Sequence, residues 1–461
     1  MHKGSSANKT VKKFAGIEVP PDLRRRDFLF LYLNTLLTGI LMAIPAIIQP
    51  AFLKDIIKVS PDFFGYTNAF LQNMSQIAIL ALVGIIGVLS DRVGRKILAV
   101  IGFMVLVIFF NLFGLSREIA TLLHIPSGAS SAICAALSFA PSRAVEFAEF
   151  GPGLLVTYVM RLIVGIGVIL CYPQFLTMVA DYTSEKDRGK GMAFNGIMMG
   201  LASLVVFGAI APLARAGGVK GLFLISSIIA LAGVFCTWIF LKDRVPEEKR
   251  EHMGFKDILR VVNKSRALKA SYLCCLITRA DVAVLATFII SWAVKVADKY
   301  HLTSAAATQK GSIPMIVISV VSFAAFPAIG ILLDRWGRVP TIILSLILGG
   351  AGMLLIAISP NPFTGLIFLA VVLAGAGMAG SIAGANTLAT DASPKNMVGS
   401  ILGGLNTMSP IGMLFFLQVG GYVFDVLGPG WAFGIKGAAS LMLGIWLFSI
   451  RRQITAELAR G

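Results

Sequence analysis

Gly87-Val-Leu-Ser-Asp91-Arg92-Val-Gly94-Arg95 returns later in the chain as Gly330-Ile-Leu-Leu-Asp334-Arg335-Trp-Gly337-Arg338. The Gly, Asp, Arg, Gly and Arg keep their spacing while the residues between them drift. A second landmark, Gly165-Ile-Gly167 followed by Asp181, returns as Gly375-Ala-Gly377 followed by Asp391. Landmarks that recur in the same order mean two like units joined head to tail. The first unit carries extra residues between its landmarks, and the stretch 116–152 is the place for them.

Each landmark closes an apolar run. The chain of 461 residues is 57% hydrophobic and 14% charged, with a mean hydropathy of +0.84. A soluble surface needs about a quarter of residues charged, so most of this chain has lipid for its solvent. Twelve runs can each cross about 30 Å of hydrocarbon: 28–49, 65–89, 97–115, 153–179, 191–212 and 219–241, then 270–294, 311–333, 340–359, 363–388, 398–423 and 432–450. Runs this apolar must be helices, because lipid satisfies no backbone polar group. The reading is an all-α membrane protein, with twelve transmembrane helices in two pseudo-symmetric six-helix bundles about a central cleft.

The net charge of +17 is explained by topology. With the N-terminus inside, the inside segments hold nearly three times the Lys and Arg of the outside loops, which predicts both termini cytoplasmic, in a plasma membrane or bacterial inner membrane. Nucleic acid is not needed to account for the charge. A tail (1–27), a first bundle (28–241) with an outside insert (116–152), a linker (242–269), a second bundle (270–450) and a tail (451–461) follow. In the linker Phe255, Ile258, Leu259 and Val262 recur at helical spacing, which predicts an amphipathic helix on the membrane surface. The N-terminus shows no apolar stretch followed by a cleavage site, so no removable signal peptide is expected.

Catalytic chemistry has no foothold. The five cysteines form no CxxC, and His2, His124, His252 and His301 are scattered over tails and loops. No GxSxG, HExxH or phosphate-binding GKS loop occurs, so neither an enzyme nor a resident metal or cofactor is expected.

GVLSDRVGRK resembles the signature loop between the second and third helices of the major facilitator superfamily, and GILLDRWGRV sits where that family places its second copy. Arg161-x-x-x-Gly165-x-Gly167, then Asp181, then Arg188-Gly189, resembles its fourth-helix pattern. The resemblance covers all the spans and implies a secondary transporter working by alternating access, as a monomer, on a small-molecule substrate. It also implies a cytoplasmic gate of Gly87, Asp91, Arg92, Gly94, Arg95, Asp181 and Arg188, with Gly330, Asp334, Arg335, Gly337, Arg338 and Asp391 in the second half. Ion pairs there would lock the outward-facing state and break on inward opening. Gly87 and Gly94 would let helices approach around a tight turn. The fifth span lacks the Gly-Pro-x-x-Gly-Gly element of drug–proton antiporters, which weighs against efflux of hydrophobic compounds. A non-transporting receptor or assembly subunit on the same fold is the alternative of another class.

Charges deep in lipid must face a cavity or a partner, since each costs at least about 2.5–3.5 kcal/mol. Arg161 lies about 12 Å and Arg279 about 15 Å into their spans. Asp281, on a different face of the same helix from Arg279, is the carboxylate well inside the drawn spans, and so the candidate if transport is coupled to protons. Two Arg against one Asp favour an anionic or zwitterionic solute. Asn68, Gln72 and Gln76 form one polar stripe. Asn34, Thr38, Tyr158, Asn195, Asn386 and Asn406 are further candidates for the lining, although such side chains also glue helices together.

Overall fold

The computed structural model describes residues 13–184, 186–244, 255–394 and 397–459. Among them, helices long and apolar enough to cross a bilayer run over Arg25–Ile57 (α1), Pro61–Val93 (α2), Arg95–Gly114 (α3), Gly151–Tyr182 (α4) and Arg188–Phe240. The 53 residues of Arg188–Phe240 would reach about 80 Å as one rod, far beyond one bilayer. Gly218, at φ +64°, breaks the rod, leaving α5 (188–217) and α6 (219–240). The second half follows with α7 (Arg266–Lys295), α8 (Ser304–Arg335), α9 (Arg338–Ala357), α10 (Gly365–Asp391), α11 (Val398–Val426) and α12 (Pro429–Leu458). Twelve crossings return both termini to one face, here the terminal face; the opposite one is the far face.

The repeated glycines have distinct tasks. Gly94 and Gly337 adopt φ of +100° and +90°, a region closed to side chains with a Cβ, and turn α2 into α3 and α8 into α9. Gly87 differs from the expectation, and its repeat Gly330 behaves alike: a Cβ on either would meet open space, so neither sits at a close helix contact. The Gly-x-Gly pair makes such contacts instead. Gly165 packs on Ser75 of α2 and Gly167 on Gly102 of α3; in the second half Gly375 packs on Ile318 of α8 and Gly377 on Gly349 of α9. Small residues at crossings let backbones approach where lipid offers no hydrophobic drive.

Hydrogen bonds and ion pairs that join the two halves cluster in the far-face half of the membrane. Lys54 meets Asp298 at 2.8 Å, Ser304 donates to Asp55 at 2.7 Å, Asn68 bonds Ser291, and Asn73 donates to Gln418 at 3.1 Å. The halves are therefore zipped at the far face, and the cleft between them faces the terminal side.

The linker helix, Phe255–Lys264, turns Ile258 and Val262 into a cluster with Leu268, Tyr272 and Leu405. Ile258 and Val262 thus pack on the second bundle. The insert is folded too. Helix Ser127–Leu137 lies against α4 with Cys134 fully buried, Arg117 donates to the Ile56 carbonyl at 3.1 Å, and Lys220 bridges Glu118 at 2.8 Å. Lys220 holds the Glu118 carboxyl below its ordinary range.

Candidate transport path

Arg161 is carried to the middle of α4 and is 3% exposed. Its Nη2 donates to Gln72 Oε1 on α2 at 3.1 Å, while its Nε has no hydrogen-bond partner. No carboxylate among the described residues pairs with it. One turn from Gln72 toward the far face, Asn68 bonds Ser291 of α7 across the halves. Gln72 therefore sits level with the zipped layer, between Asn68 and Asn73 on α2, and holds Arg161 at that depth. Gln76, a turn nearer the terminal face, is half-buried.

The second guanidinium comes from the other half. The α7 helix is broken: one limb is Arg266–Thr278 and the next begins at Asp281. Arg279 sits at the break, half-exposed, and its Nη2 donates to Asn386 Oδ1 on α10 at 3.2 Å. Its charge reaches Tyr172 of α4, in the opposite half. So Arg161 and Arg279 come from facing bundles, each held by an amide (Gln72, Asn386) and, among the described residues, neither by an acid. An amide orients a guanidinium without neutralising it, which leaves the charge available to a ligand.

Asp281 turns the other way. It forms an ion pair with Lys436 of α12, the two side chains 6% and 1% exposed. Lys436 also lies 3.3 Å from Ser440 Oγ and 5.0 Å from the Phe416 ring. The pair is interior to the second bundle, where it ties α7 to α12. Sequence reasoning passed over Lys436, because it lies near the start of its span; its burial is what marks it.

Several expected lining residues serve packing. Asn34 accepts from Thr237 of α6 at 3.0 Å, Thr38 donates back to the Asn34 carbonyl at 2.8 Å, and Asn195 meets Thr35 of α1 at 3.2 Å. All four of Asn34, Thr35, Thr38 and Asn195 are buried within the first bundle. Tyr158 is buried edge-on to Phe70, with ring centroids 4.9 Å apart, beside Ser138 and Cys134 of the insert. Asn406 is exposed on α11.

At the terminal face the repeated acids and bases meet within each half. Arg95 pairs with Asp181 and lies 3.6 Å from Asp91; Arg338 lies 2.9 Å from Asp391 and 3.2 Å from Asp334. The two clusters repeat each other, and all four pairs stand with the far face shut. None crosses between halves, contrary to a lock made by these pairs themselves. Arg92 and Arg335 are exposed and Arg188 half-buried. Sequence reasoning missed two acids here. Asp243 accepts from the Arg95 and Lys96 N–H groups at 3.2 and 3.3 Å, capping α3. Asp187 accepts from Lys190 at 2.7 Å and from the Glu18 N–H at 2.9 Å, pinning a hairpin of strands Lys13–Phe14 and Ile17–Glu18. Lys190, then the Glu18 amide, hold the Asp187 carboxyl below its usual range.

Two bundles of six crossing helices, related by repeat and parted on one face, define an integral multi-pass membrane protein of transporter architecture. The Major Facilitator Superfamily matches residues 31–324 and 272–459, and the chain belongs to that family. It is 26% identical over 432 residues to magnetosome protein MamH of Paramagnetospirillum magneticum (strain ATCC 700264 / AMB-1), covering 94% of both chains. It is 27% identical over 423 residues to magnetosome protein MamZ of the same strain, and spans 61% of MamZ's length. Among solved structures, the nucleoside transporter NupG superposes with a TM-score of 0.64 at 14% identity, over 92% of this chain and 98% of NupG. A POT family transporter in complex with 5-aminolevulinic acid superposes with a TM-score of 0.68 at 11% identity, over 96% of this chain and 98% of the other. Likeness at those identities concerns the fold.

Proposed function

We propose that this chain is a secondary transporter that carries a small anionic or zwitterionic solute by alternating access, with Arg161 and Arg279 as the groups that receive its negative charge. One observation carries the reading: Arg161 is a buried guanidinium held by Gln72, with no acid beside it among the described residues. A buried charge left uncompensated is costly, and a solute anion supplies the missing partner. Arg279 on the opposing bundle would let one solute contact both halves, which is how binding couples to their movement. Gln72, Asn386 and Tyr172 supply the neutral polar contacts. In this reading the terminal face is cytoplasmic and the cleft faces inward. Coupling to protons through Asp281 would require its bridge to Lys436 to open. The cluster around Arg95 would then act by fixing helix ends within each half, with the gate formed as those ends approach the other bundle.

The test is a thermal-shift screen of purified protein against metabolite anions, zwitterions, cations and neutral compounds, followed by proteoliposome flux with and without an ionophore. Anions should stabilise the wild type and lose most of that effect in Arg161→Gln. Equal stabilisation of wild type and variant would remove Arg161 from the site. Folded protein with no flux for any stabilising compound would favour the assembly-subunit alternative. Flux of lipophilic cations that ignores Arg161 would favour efflux. The likeness to MamH and MamZ supports a magnetosome membrane as the compartment; a tagged copy confined to the bulk inner membrane would count against it.

A further inference from the structure

Asp425 stands at the far-face end of α11, and its side chain is 1% exposed. Its Oδ1 accepts from the Gly65 N–H and its Oδ2 from the Tyr66 N–H, both at 2.9 Å. Those amides belong to the first turn of the helix Phe64–Val93, whose N-cap, Phe63, offers no side-chain acceptor. First-turn N–H groups have no partner in their own helix and carry its positive end. A carboxylate from the second half thus completes a helix of the first. Lys295 of α7 approaches Asp425 at 3.2 Å and lies 5.1 Å from the Phe424 ring, so the acid is held from both sides. Gly421, one turn back, packs directly on Gly65 and Ala69, which brings α11 close enough for the contact.

The Lys54–Asp298 ion pair is a weaker far-face tie. Asp298, which meets Lys54, is 81% exposed, and exposed pairs contribute roughly 0–1 kcal/mol. Hydrogen bonds from two backbone amides to a buried carboxylate are charge-assisted and shielded from water. The start of α2 is itself braced by the insert. Arg143 lies 4.4 Å over the Phe63 ring and 3.6 Å from Asp62, and the Phe147 and Phe63 rings are 4.5 Å apart. A cavity of about 430 Å³ lined by Phe139, Arg143, Phe63, Tyr66 and Asp425 lies on the far-face side of this contact.

We infer that Asp425 is the latch of the far face: its carboxylate, seated on the first turn of α2, holds the two bundles together there, and must leave the Gly65 and Tyr66 amides each time that face opens. Water from the adjoining cavity takes over those amides in the open state. The insert keeps the receiving end of α2 in place, which gives this one-sided addition a task. The latch does not depend on which solute is carried, so a conformational readout tests it apart from the transport reading.

The experiment places spin labels at Glu149→Cys and Lys299→Cys, exposed far-face sites on opposite halves, in a cysteine-free background of the full chain, and reads their distance distribution. Asp425→Asn keeps the shape and removes the charge; it should raise the ratio of far-face-open to closed molecules by about tenfold. Lys295→Gln spares both amide bonds and should raise it by only about twofold to threefold. Exchanging the two residues should not restore closure, because a cation at the start of α2 opposes the helix dipole. An unchanged distribution in Asp425→Asn, or full closure in the exchanged pair, would overturn the latch. Should Asp425→Asn fail to give monodisperse protein, Asp425→Ala takes its place, and an unchanged distribution there would overturn the latch equally.

Discussion

Removing the Asp281 carboxylate should destabilise the protein more than removing both members of its pair. The two side chains are 6% and 1% exposed, so neither has water to fall back on. In Asp281→Asn the Lys436 ammonium keeps Ser440 at 3.3 Å and the Phe416 ring at 5.0 Å. Both contacts are already present in the wild type, so they offset none of the loss. Breaking a buried pair costs about 3–5 kcal/mol, and a lone charge at the centre of a membrane helix about 2.5–3.5 kcal/mol; both routes give roughly 3 kcal/mol. Asp281→Leu with Lys436→Met takes both charges out of the interior and should stay within about 1–2 kcal/mol of wild type. A thiol-reactive dye reads the unfolding directly, since Cys134, Cys171, Cys274 and Cys275 are buried. Equal losses in the single and double variants would refute the reasoning, as would an Asp281→Asn protein as stable as wild type. The double variant also bears on proton coupling. If the pair is structural, uphill flux survives in it; if flux then becomes purely downhill, Asp281 moves protons.

Other outcomes follow from the same contacts. Arg161→Lys keeps a charge but loses the planar fork that Gln72 orients, so solute affinity should fall at least about tenfold in flux or binding assays. Gly421→Val would drive a branched side chain into Ala69 and the Gly65 carbonyl, each 2.7 Å from the new Cβ; a loss of about 1–3 kcal/mol in thermal unfolding is expected. Phe147→Ala empties a fully buried position in the insert at a cost of about 3 kcal/mol, and limited proteolysis near Arg143 should quicken. Asp187 has a lowered folded-state pKa, so its hold on the hairpin is complete above the unfolded aspartate value and fades as pH falls through the folded one. Protection of the Glu18 amide from hydrogen exchange should therefore be constant near neutrality and collapse only in acid.

Hydropathy and the repeated landmarks made the helices, their number and the two-bundle plan legible, because lipid leaves a chain few alternatives. Arg161 and Arg279 stood out for the same reason: a charge far inside an apolar run needs an explanation. Which way a polar side chain points was another matter. Asn34, Thr38 and Asn195 look like Gln72 in sequence, yet they bond neighbours inside one bundle, since helix rotation is set by packing that no local pattern records. Lys436, Asp425, Asp243 and Asp187 were passed over because they lie near span ends, where charge is cheap. What makes them matter is a partner distant in sequence: Gly65 for Asp425, Asp281 for Lys436, Arg95 for Asp243.

The insert over 116–152 also bears on how the protein can be seen. Two like bundles rotated onto each other give nearly the same silhouette, and a 49.1 kDa chain sunk in a micelle offers an imaging algorithm little else to orient by. A short helical knob, anchored through Cys134, Phe147 and Lys220 to one bundle alone, breaks that near-equivalence. It marks which half is which, and it gives a nanobody a firm ledge to grip.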